Sequence, residues 1–479
     1  MAVSTRKAIG YGAAISIVIG SIIGSGIFRK PATMAAQLSS PEWLIAVWVI
    51  AGLFSLFGAL IYAEIGAMIP ENGGTYVYFK KMYGDFTAFL YGWAAFSAIN
   101  TASVSAIAFV FAAYANFFLH LPRLPEAVEN DWVLYIPYLG KFYPIADIGV
   151  KSLAILLVVG LTAVNYISAR GGGILQLIST VVKVVVISAL IFGIFFSGGG
   201  ETVNITTPSM NPKEGWQLLG GFVAALTGAF MAYEGWINLT FVAGEVRDPQ
   251  KNIPRSLIIG VVSCIVIYVL INLAYLYVLP IDKMKDSTLV ASDAIRIALG
   301  STSEAVIAAL IVLCTLGAVN GNVMSIAWVT YAMARDGRFI KWAGKDHPRY
   351  KTPGNALVLH GILASLFILS GTFDILSDMY TFASWVAYLL AAIGLFVLRR
   401  KMPGAHRPYK VWGYPVVPVL FILFASFYVV STIVNDVNNY INGTVPVINS
   451  LFGLAIIAAG TPLFWYFKKK YPQKPSGTE

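Results

Sequence analysis

Apolar runs long enough to cross a lipid bilayer recur along the whole chain. A transmembrane helix needs about 20 consecutive apolar residues, and about twelve such runs can be marked. Only 12% of the residues are charged, whereas a soluble domain carries about a quarter. The chain is therefore predicted to be an all-α integral membrane protein that forms a single domain in the bilayer. The predicted spans are 8–35, 43–69, 86–119, 150–168, 171–197, 215–243, 255–279, 302–333, 355–371, 375–398, 413–434 and 445–467.

The positive charges predict how these spans are oriented. With the N-terminus inside, 23 of the 33 lysines and arginines lie in segments that face the cytoplasm, nine lie in segments that face outside, and Lys183 lies within a span. Cytoplasmic segments carry the excess of positive charge, so both termini are expected in the cytoplasm, in a cell membrane protein. This asymmetry explains the net charge of +10. No nucleic-acid-binding motif accompanies it, and no such partner is expected.

Several classes of function are disfavoured by what the chain lacks. The only two cysteines, Cys264 and Cys314, lie inside predicted spans, so no disulfide framework or thiolate metal site is indicated. An enzyme would need clustered nucleophiles, bases or metal ligands, and none is found. A channel or proton pump would need chains of intramembrane ionisable groups, yet of the four histidines only His360 lies in a span. A carrier without cofactor or metal is the class that remains.

Glycine and serine interrupt the first span at positions where an uninterrupted membrane helix would have leucine. Residues 20–29 read GSIIGSGIFR. In hydrocarbon every backbone polar group must be satisfied, so an unwound segment persists only where it lines a cavity inside the protein. The alternative is close helix packing through small residues. The first interpretation predicts a substrate site at this break.

A second interruption lies in the sixth span, where residues 227–238 read TGAFMAYEGWIN. Interruptions at corresponding places in two halves of a chain indicate a transporter site between them. The two interruptions are five spans apart, which predicts two repeats of five helices, with the second copy inverted. The repeats would cover 8–197 and 215–398, followed by two accessory helices over 413–467.

Five segments of the chain resemble the amino acid–polyamine–organocation superfamily, and within it the bacterial form of the L-type amino acid transporters. The resemblance implies a LeuT-like fold with broken helices 1 and 6. It also implies sodium-independent transport of L-amino acids, most often by exchange. The heavy-chain glycoprotein of mammalian relatives is not expected, since the loop 120–149 has no cysteine for the disulfide. The segments are 20–28, 62–76, 232–236, 245–256 and 319–322.

The resemblance also implies how the substrate is held. Backbone N–H groups of the first break would bind the carboxylate, and backbone carbonyls of the second would bind the ammonium group. Half-helix N-termini favour anions, and glycine lets a ligand approach the backbone closely. The matching positions are Ile22, Ser25 and Gly26 in the first break and Met231, Ala232 and Glu234 in the second.

Other pocket residues follow from the same comparison. Met231 stands where the family often has an aromatic gate, so Phe230 or Trp236 could take over that role, and Met231 could instead be ordinary core. Ser384 and Trp385 fall where the family contacts or flanks the pocket.

Two acidic side chains are interpreted as having different roles. The Glu234 carboxylate would lie either beside the substrate's ammonium group or in the cytoplasmic vestibule. Glu64, near the cytoplasmic end of the second span, is interpreted as a gate or folding residue.

Lys183 is the one basic residue inside an otherwise apolar span. It lies about 18 Å into the helix at 1.5 Å per residue, farther than a lysine can reach towards water. Buried ionisable groups are expensive in a membrane and point to function. The resemblance implies that this lysine contacts the first span where sodium sits in sodium-coupled relatives of the fold.

The sequence therefore predicts a sodium-independent exchanger of small or medium neutral amino acids. A proton-coupled symporter is an alternative, because a buried lysine can lose its proton. A cationic amino acid or polyamine permease is another, and Glu234 would favour it. The oligomeric state is left open.

Overall fold

The computed structural model describes residues 9–132, 134–136, 140–287, 289–300, 303–370, 373–443 and 448–471. Within these ranges, eleven helical segments are long and apolar enough to cross a membrane, and Gly354–Leu369 is a shorter apolar helix. Taken together they follow the twelve predicted runs in order. The predicted all-α membrane fold is confirmed.

The first five spans occupy residues 11–196. Two of them are not single α-helices: the first has a break, and the third contains a π-helical turn at Ala95–Ile99. The helices are α1 (Tyr11–Ile22), α2 (Gly26–Leu38), α3 (Pro41–Met68), α4 (Thr75–Tyr83), α5 (Asp85–Ala94), α6 (Asn100–Leu119), α7 (Glu126–Asp131), α8 (Ile148–Ile167) and α9 (Ala169–Phe196). Between α7 and α8, two short strands pair antiparallel, β1 (Leu134–Ile136) and β2 (Gly140–Phe142).

The remaining spans occupy residues 215–470. Short 3₁₀ turns at Thr202–Ile205, Ala243–Glu245 and Lys341–Gly344 lie in the connections. The helices are α10 (Gly215–Tyr233), α11 (Asn238–Phe241), α12 (Pro249–Val278), α13 (Ile281–Met284), α14 (Val290–Leu299), α15 (Ser303–Arg335), α16 (Gly354–Ser370), α17 (Phe373–Lys401), α18 (Val416–Ile441) and α19 (Asn449–Lys470).

Spans at corresponding positions of the two halves pack against each other. The second span, α3, packs along the seventh, α12, and the third span packs through α6 against the eighth, α15. The first and sixth spans meet through α2 and α10. The two halves are thus interleaved, and the broken first and sixth spans lie side by side.

Local sequence explains where several helices begin. Ser40 precedes the proline that opens α3, and its hydroxyl accepts the N–H of Trp43 at 3.4 Å. Ser168 caps α9 by accepting the N–H of Gly171 at 2.9 Å. Serine at this position satisfies a backbone donor that the helix itself cannot. The surface of the spans is apolar, with side chains such as Leu156 and Leu423 exposed, as lipid contact requires.

Candidate substrate site

The first span is interrupted between α1 and α2. Ile23 leaves the helical conformation with a ψ of 91°, and the helix resumes at Gly26. Residues 22–26 are all buried. The last carbonyls of an α-helix have no partner within their own helix, so in a dry interior they need partners from elsewhere.

Two distant spans supply these partners. The Lys183 ammonium group of α9 donates to the carbonyl oxygens of Gly20 at 2.6 Å and Ile23 at 2.7 Å. The Tyr268 hydroxyl of α12 donates to Ile22 O at 2.8 Å. The helix dipole also favours a cation at a helix C-terminus. The end of α1 is therefore capped by α9 and α12 together.

Lys183 is fully buried. A Cβ on Gly317 of α15 would lie 3.1 Å from Lys183 Cε and 2.4 Å from Ser179 Oγ. The lysine thus fills the space where α1, α9 and α15 meet. Its side chain reaches the break itself rather than the membrane surface.

The sixth span is interrupted over residues 234–237, between α10 and α11. Gly235 has a φ of +109°, and a Cβ there would lie 2.8 Å from Ser21 O. A Cβ on Gly26 would lie 2.6 Å from Ala232 Cα. Glycine is required for such close approach. The two breaks are in direct backbone contact.

Two carbonyls at the second break lie within hydrogen-bond distance of donors in the protein. The Tyr268 hydroxyl, which reaches Ile22 O in the first break, also lies 2.9 Å from Ala232 O. The Met231 carbonyl accepts the N–H of Glu234 at 3.3 Å. Tyr268 joins the two breaks from α12.

Two small adjoining cavities lie at the breaks, each of about 20 Å³, enough for about one water molecule. The break cavity is lined by Ser21, Ile22, Gly24, Ser25, Gly26, Ser103, Ile107, Met231, Ala232, Glu234, Gly235, Asn322 and Tyr380. The side cavity is lined by Tyr91, Ile99, Asn100, Ser103, Glu234, Gly235, Ile237, Asn238, Asn322, Tyr380, Ser384, Ala387 and Tyr388. The helices are tightly packed here, so a bound amino acid requires them to separate.

The structure brings most of the predicted site residues together. The six positions expected to bind the substrate's charged ends all line the break cavity, and Ser384 lines the side cavity. The predicted aromatic residues Phe230, Trp236 and Trp385 are not among the residues that line either cavity. Phe230 packs on Trp385 with ring centroids 3.9 Å apart, and Trp236 packs on Tyr388 at 4.9 Å. They flank the site as two aromatic pairs.

Sequence reasoning missed several polar residues of the two cavities. Asn238 donates from Nδ2 to Asn322 Oδ1 at 3.0 Å, linking α11 to α15, and Ser103 and Tyr380 contribute to both cavities. The available signal was an asparagine or serine at membrane depth within a span. Within the described residues, the hydroxyl of Ser25 has no hydrogen-bond partner, so it can bind a ligand in the break cavity.

Glu234 lies in the wall shared by both cavities. Of the two locations that the sequence left open, the structure places it at the breaks. Its carboxylate accepts a hydrogen bond from the Tyr388 hydroxyl of α17, whose ring also packs edge-on against Tyr62 at 6.0 Å. Among the described residues that line these cavities, Glu234 is the only one with a carboxylate.

The face of the molecule at which α1 begins is closed by backbone and side-chain contacts. Ile9 forms a parallel bridge with Val246. The Asn72 side chain donates to Glu245 Oε1 at 3.2 Å and accepts the N–H of Gly244 at 2.9 Å. These contacts tie the start of the first span and the loop after α3 to the segment that follows α11.

Glu64 forms a buried ion pair at the end of α3, away from both cavities. Arg399 of α17 donates to its two oxygens at 2.9 and 2.7 Å, and the Val411 N–H donates at 2.7 Å. Arg407 lies 3.6 Å away. Glu64 therefore joins α3 to α17 and to the segment that leads into α18, which fits a folding role.

Metal and disulfide chemistry find no support in the part of the chain that the structure describes. Cys264 and Cys314 are buried free thiols. Among the described residues no group of three or more histidine, cysteine, aspartate or glutamate side chains could hold a metal ion.

These features define a multi-pass membrane transporter, in which two broken helices meet around a buried polar site. The chain belongs to the amino acid permease family, whose sequence pattern it matches over residues 9–459. The predicted family and the prediction of amino acid transport are confirmed.

Individual relatives are similar over most of their lengths. The human b(0,+)-type amino acid transporter 1 is 31% identical over 439 residues, which cover 90% of this chain and 84% of that protein. The serine/threonine exchanger SteT of Bacillus subtilis (strain 168) is 29% identical over 474 residues, covering 97% and 98%. The human cystine/glutamate transporter is 29% identical over 461 residues, covering 95% and 83%.

Proposed function

We propose that the protein exchanges small and medium neutral L-amino acids across the cell membrane without sodium, with both termini in the cytoplasm. The observation that carries this proposal is the contact of Lys183 with Gly20 O and Ile23 O. The lysine supplies a fixed positive charge to the carbonyls that end α1. A sodium ion at the same carbonyls would be repelled at short range, which supports transport without sodium.

The two breaks offer complementary groups to an α-amino acid. The N-terminus of α2, at Gly26, presents backbone N–H groups and the positive end of a helix dipole to the carboxylate, with the Ser25 hydroxyl beside it. The carbonyls of Met231 and Ala232 and the Glu234 carboxylate face the ammonium group. Both charged ends of the substrate are then bound almost entirely by backbone.

The side cavity is proposed to receive the substrate side chain. Its lining combines polar groups, such as Asn100 and Ser384, with the rings of Tyr91, Tyr380 and Tyr388, which leave little room. Such a lining suits small side chains with or without a hydroxyl. The similarity to a serine/threonine exchanger supports both this substrate class and the exchange mode. Fit alone discriminates by only about 1–3 kcal/mol per methylene, so several neutral amino acids should share the site.

Alternating access is proposed to open the closed face. The bridge of Ile9 to Val246 and the contacts of Asn72 would have to break for release to the cytoplasm. Both sets of contacts involve the segments that flank the breaks. Substrate bound between the breaks can therefore influence whether this face is open. No disulfide-linked partner is proposed, since both cysteines are buried within spans.

A cationic amino acid or polyamine permease is a second candidate, favoured by Glu234. This carboxylate lies in the wall of both cavities, where it could pair with a second positive charge on the substrate. Proton-coupled symport is a third, since Lys183 is a fully buried amine. A buried amine beside the first break could take up and release a proton during transport.

Transport into sealed vesicles decides among these candidates. Purified protein is reconstituted with or without internal unlabelled alanine, and entry of labelled alanine is followed in sodium-free buffer. Exchange predicts entry only into preloaded vesicles. Entry into empty vesicles under an inward proton gradient would instead establish symport. Inhibition by arginine or spermidine stronger than by alanine would favour the cationic candidate.

A further inference from the structure

His360 is the only histidine within a predicted span, and none of the transport steps proposed above uses it. It lies in α16, which packs against α6 and α15. Its Nε2 lies 2.8 Å from the Thr330 hydroxyl of α15, and its Nδ1 lies 3.5 Å from the Thr101 hydroxyl of α6. Its ring packs edge-on against Phe96, with centroids 5.2 Å apart. The imidazole therefore joins the third, eighth and ninth spans at one point.

The hydrogens around this ring can be assigned by counting donors. Thr101 donates its single hydroxyl hydrogen to Phe96 O at 2.6 Å, so towards His360 it can only accept. In a neutral imidazole one nitrogen donates and the other accepts. The Nδ1–H therefore faces Thr101, and Nε2 accepts the hydroxyl of Thr330. The ring thus keeps the Thr101 hydroxyl in the orientation that reaches Phe96 O.

Phe96 O belongs to the π-helical turn at Ala95–Ile99, which interrupts the third span. In this turn the N–H of Asn100 bonds back five residues to Ala95 O, whereas an α-helix bonds back four. The hydroxyl of Thr101 spans the same interval to Phe96 O. Such a turn takes up one extra residue within a helix and is frequent at functional sites.

The extra residue decides which side chains of the third span reach the side cavity. Tyr91 lies before the π-helical turn and Ser103 after it, and both line that cavity. Along an uninterrupted α-helix their separation would place them about 120° apart around the axis. One residue taken up by the turn reduces this angle to about 20°. For Tyr91 and Asn100 the angle falls from about 180° to about 80°.

Asn100 is the polar side chain for which this placement matters most. It lines the side cavity, and its Nδ2 is buried and, within the described residues, has no hydrogen-bond partner. A buried donor without a partner is costly. The hydroxyl oxygen of a substrate side chain in the side cavity would supply the missing acceptor.

We propose that His360 is a positioning residue for substrate selection, which acts through Thr101 to hold the π-helical turn that presents Asn100 to a substrate hydroxyl. The proposal rests on the proposed function, in which the side cavity receives the substrate side chain. His360 is not among the residues that line either cavity at the breaks. Its effect is therefore expected in the preference between serine and alanine, which differ by one hydroxyl.

Exchange into preloaded vesicles by the purified full chain measures this preference as the KM for serine divided by the KM for alanine. His360→Leu removes both ring nitrogens, and Thr101→Val removes the hydroxyl that bonds Phe96 O. His360→Asn keeps a donor where Nδ1 lies, and Thr101→Ser keeps the hydroxyl. Thr432→Val is the matched control, since Thr432 is a buried threonine of α18 whose hydroxyl donates to Tyr428 O at 2.8 Å.

The KM ratio should rise about fivefold in His360→Leu and Thr101→Val, as one lost hydrogen bond to the substrate predicts. It should stay near the wild-type value in His360→Asn, Thr101→Ser and Thr432→Val. A variant that is only less stable has fewer active molecules, which lowers the maximal exchange of both amino acids and leaves the ratio unchanged.

An unchanged ratio in either His360→Leu or Thr101→Val would overturn the role of His360. Exchange of alanine and serine by the wild-type protein would leave the proposed function standing in that case. A wild-type protein that exchanges neither amino acid would overturn both proposals.

Discussion

The Lys183 ammonium group of α9 lies 2.6 Å from the carbonyl oxygen of Gly20 in α1. This contact joins the fifth span to the last helical turn before the first break. It places a positive charge at the negative end of a helix, buried from water. The position of the break therefore depends on a residue more than a hundred positions away in the chain.

Replacing Lys183 by Ala or Met should nearly abolish exchange. The carbonyls of Gly20 and Ile23 would lose their donor in a dry interior, at a cost of about 1–3 kcal/mol each. The measurement is alanine exchange per folded molecule, with folding followed by size-exclusion chromatography. Lys151→Met is the control, since Lys151 is also buried and donates to carbonyls far from the breaks, including Tyr143 O at 2.6 Å. Full exchange by Lys183→Ala would refute the role given to this lysine.

Glu234→Gln should weaken inhibition by arginine about tenfold, equivalent to about 1.4 kcal/mol. It should weaken alanine exchange by a smaller factor, because arginine presents two positive charges to the carboxylate and alanine only one. The variant removes the only carboxylate among the residues that line the two cavities at the breaks. Competition by arginine against labelled alanine measures the effect. Tyr388→Phe keeps the carboxylate and removes only its hydrogen-bond donor, so arginine should still compete there. Equal arginine inhibition in wild type and Glu234→Gln would show that the carboxylate does not contact the substrate.

Gly235→Ala should block exchange because a Cβ would press against Ser21 O at 2.8 Å. The positive φ of +109° adds strain of about 1–2 kcal/mol for a residue with a side chain. Gly198→Ala separates the two effects, since Gly198 has a φ of +70° but nothing within 4 Å of its Cβ position. Exchange by the Gly198 variant should stay near wild type. Similar behaviour of both variants would mean that contact between the breaks is unimportant.

Glu64→Gln should lower stability while leaving exchange by the surviving folded protein largely intact. Removing one partner of a buried ion pair costs about 3–5 kcal/mol, and Glu64 is fully buried beside Arg399. The measurement is the temperature at which detergent-solubilised protein loses its monodisperse elution peak. Glu71→Gln removes an exposed pair with Lys81 and should change stability by less than about 1 kcal/mol. An unchanged melting temperature for Glu64→Gln would contradict the folding role.

The architecture was largely predictable from the sequence because a bilayer imposes a coarse rule. Spans must be apolar and about 20 residues long, so their order could be marked directly. The helix breaks were predictable too, since the glycines at 24, 26 and 235 are not expected in a helix that only has to cross the bilayer. The edges were less accurate: the sixth span was predicted over 215–243, yet α10 ends at Tyr233 and only a short turn of helix follows.

Much of the site depends on contacts between distant segments, which one sequence does not reveal. Asn238 and Asn322 are 84 positions apart and meet only because α11 packs on α15. Tyr268 lies in a span with no visible interruption, and nothing in its neighbourhood marks it as a partner of both breaks.

The position of Tyr268 has a consequence for the balance of hydrogen-bond donors at the breaks. Its hydroxyl lies 2.8 Å from Ile22 O and 2.9 Å from Ala232 O, but a tyrosine hydroxyl carries one hydrogen. It can donate to only one of these carbonyls at a time. An ammonium group carries three hydrogens, and one that arrives at Ala232 would leave the tyrosine hydrogen to Ile22. The carbonyls of the two broken helices therefore share one tyrosine hydrogen until a charged amine binds and supplies further donors.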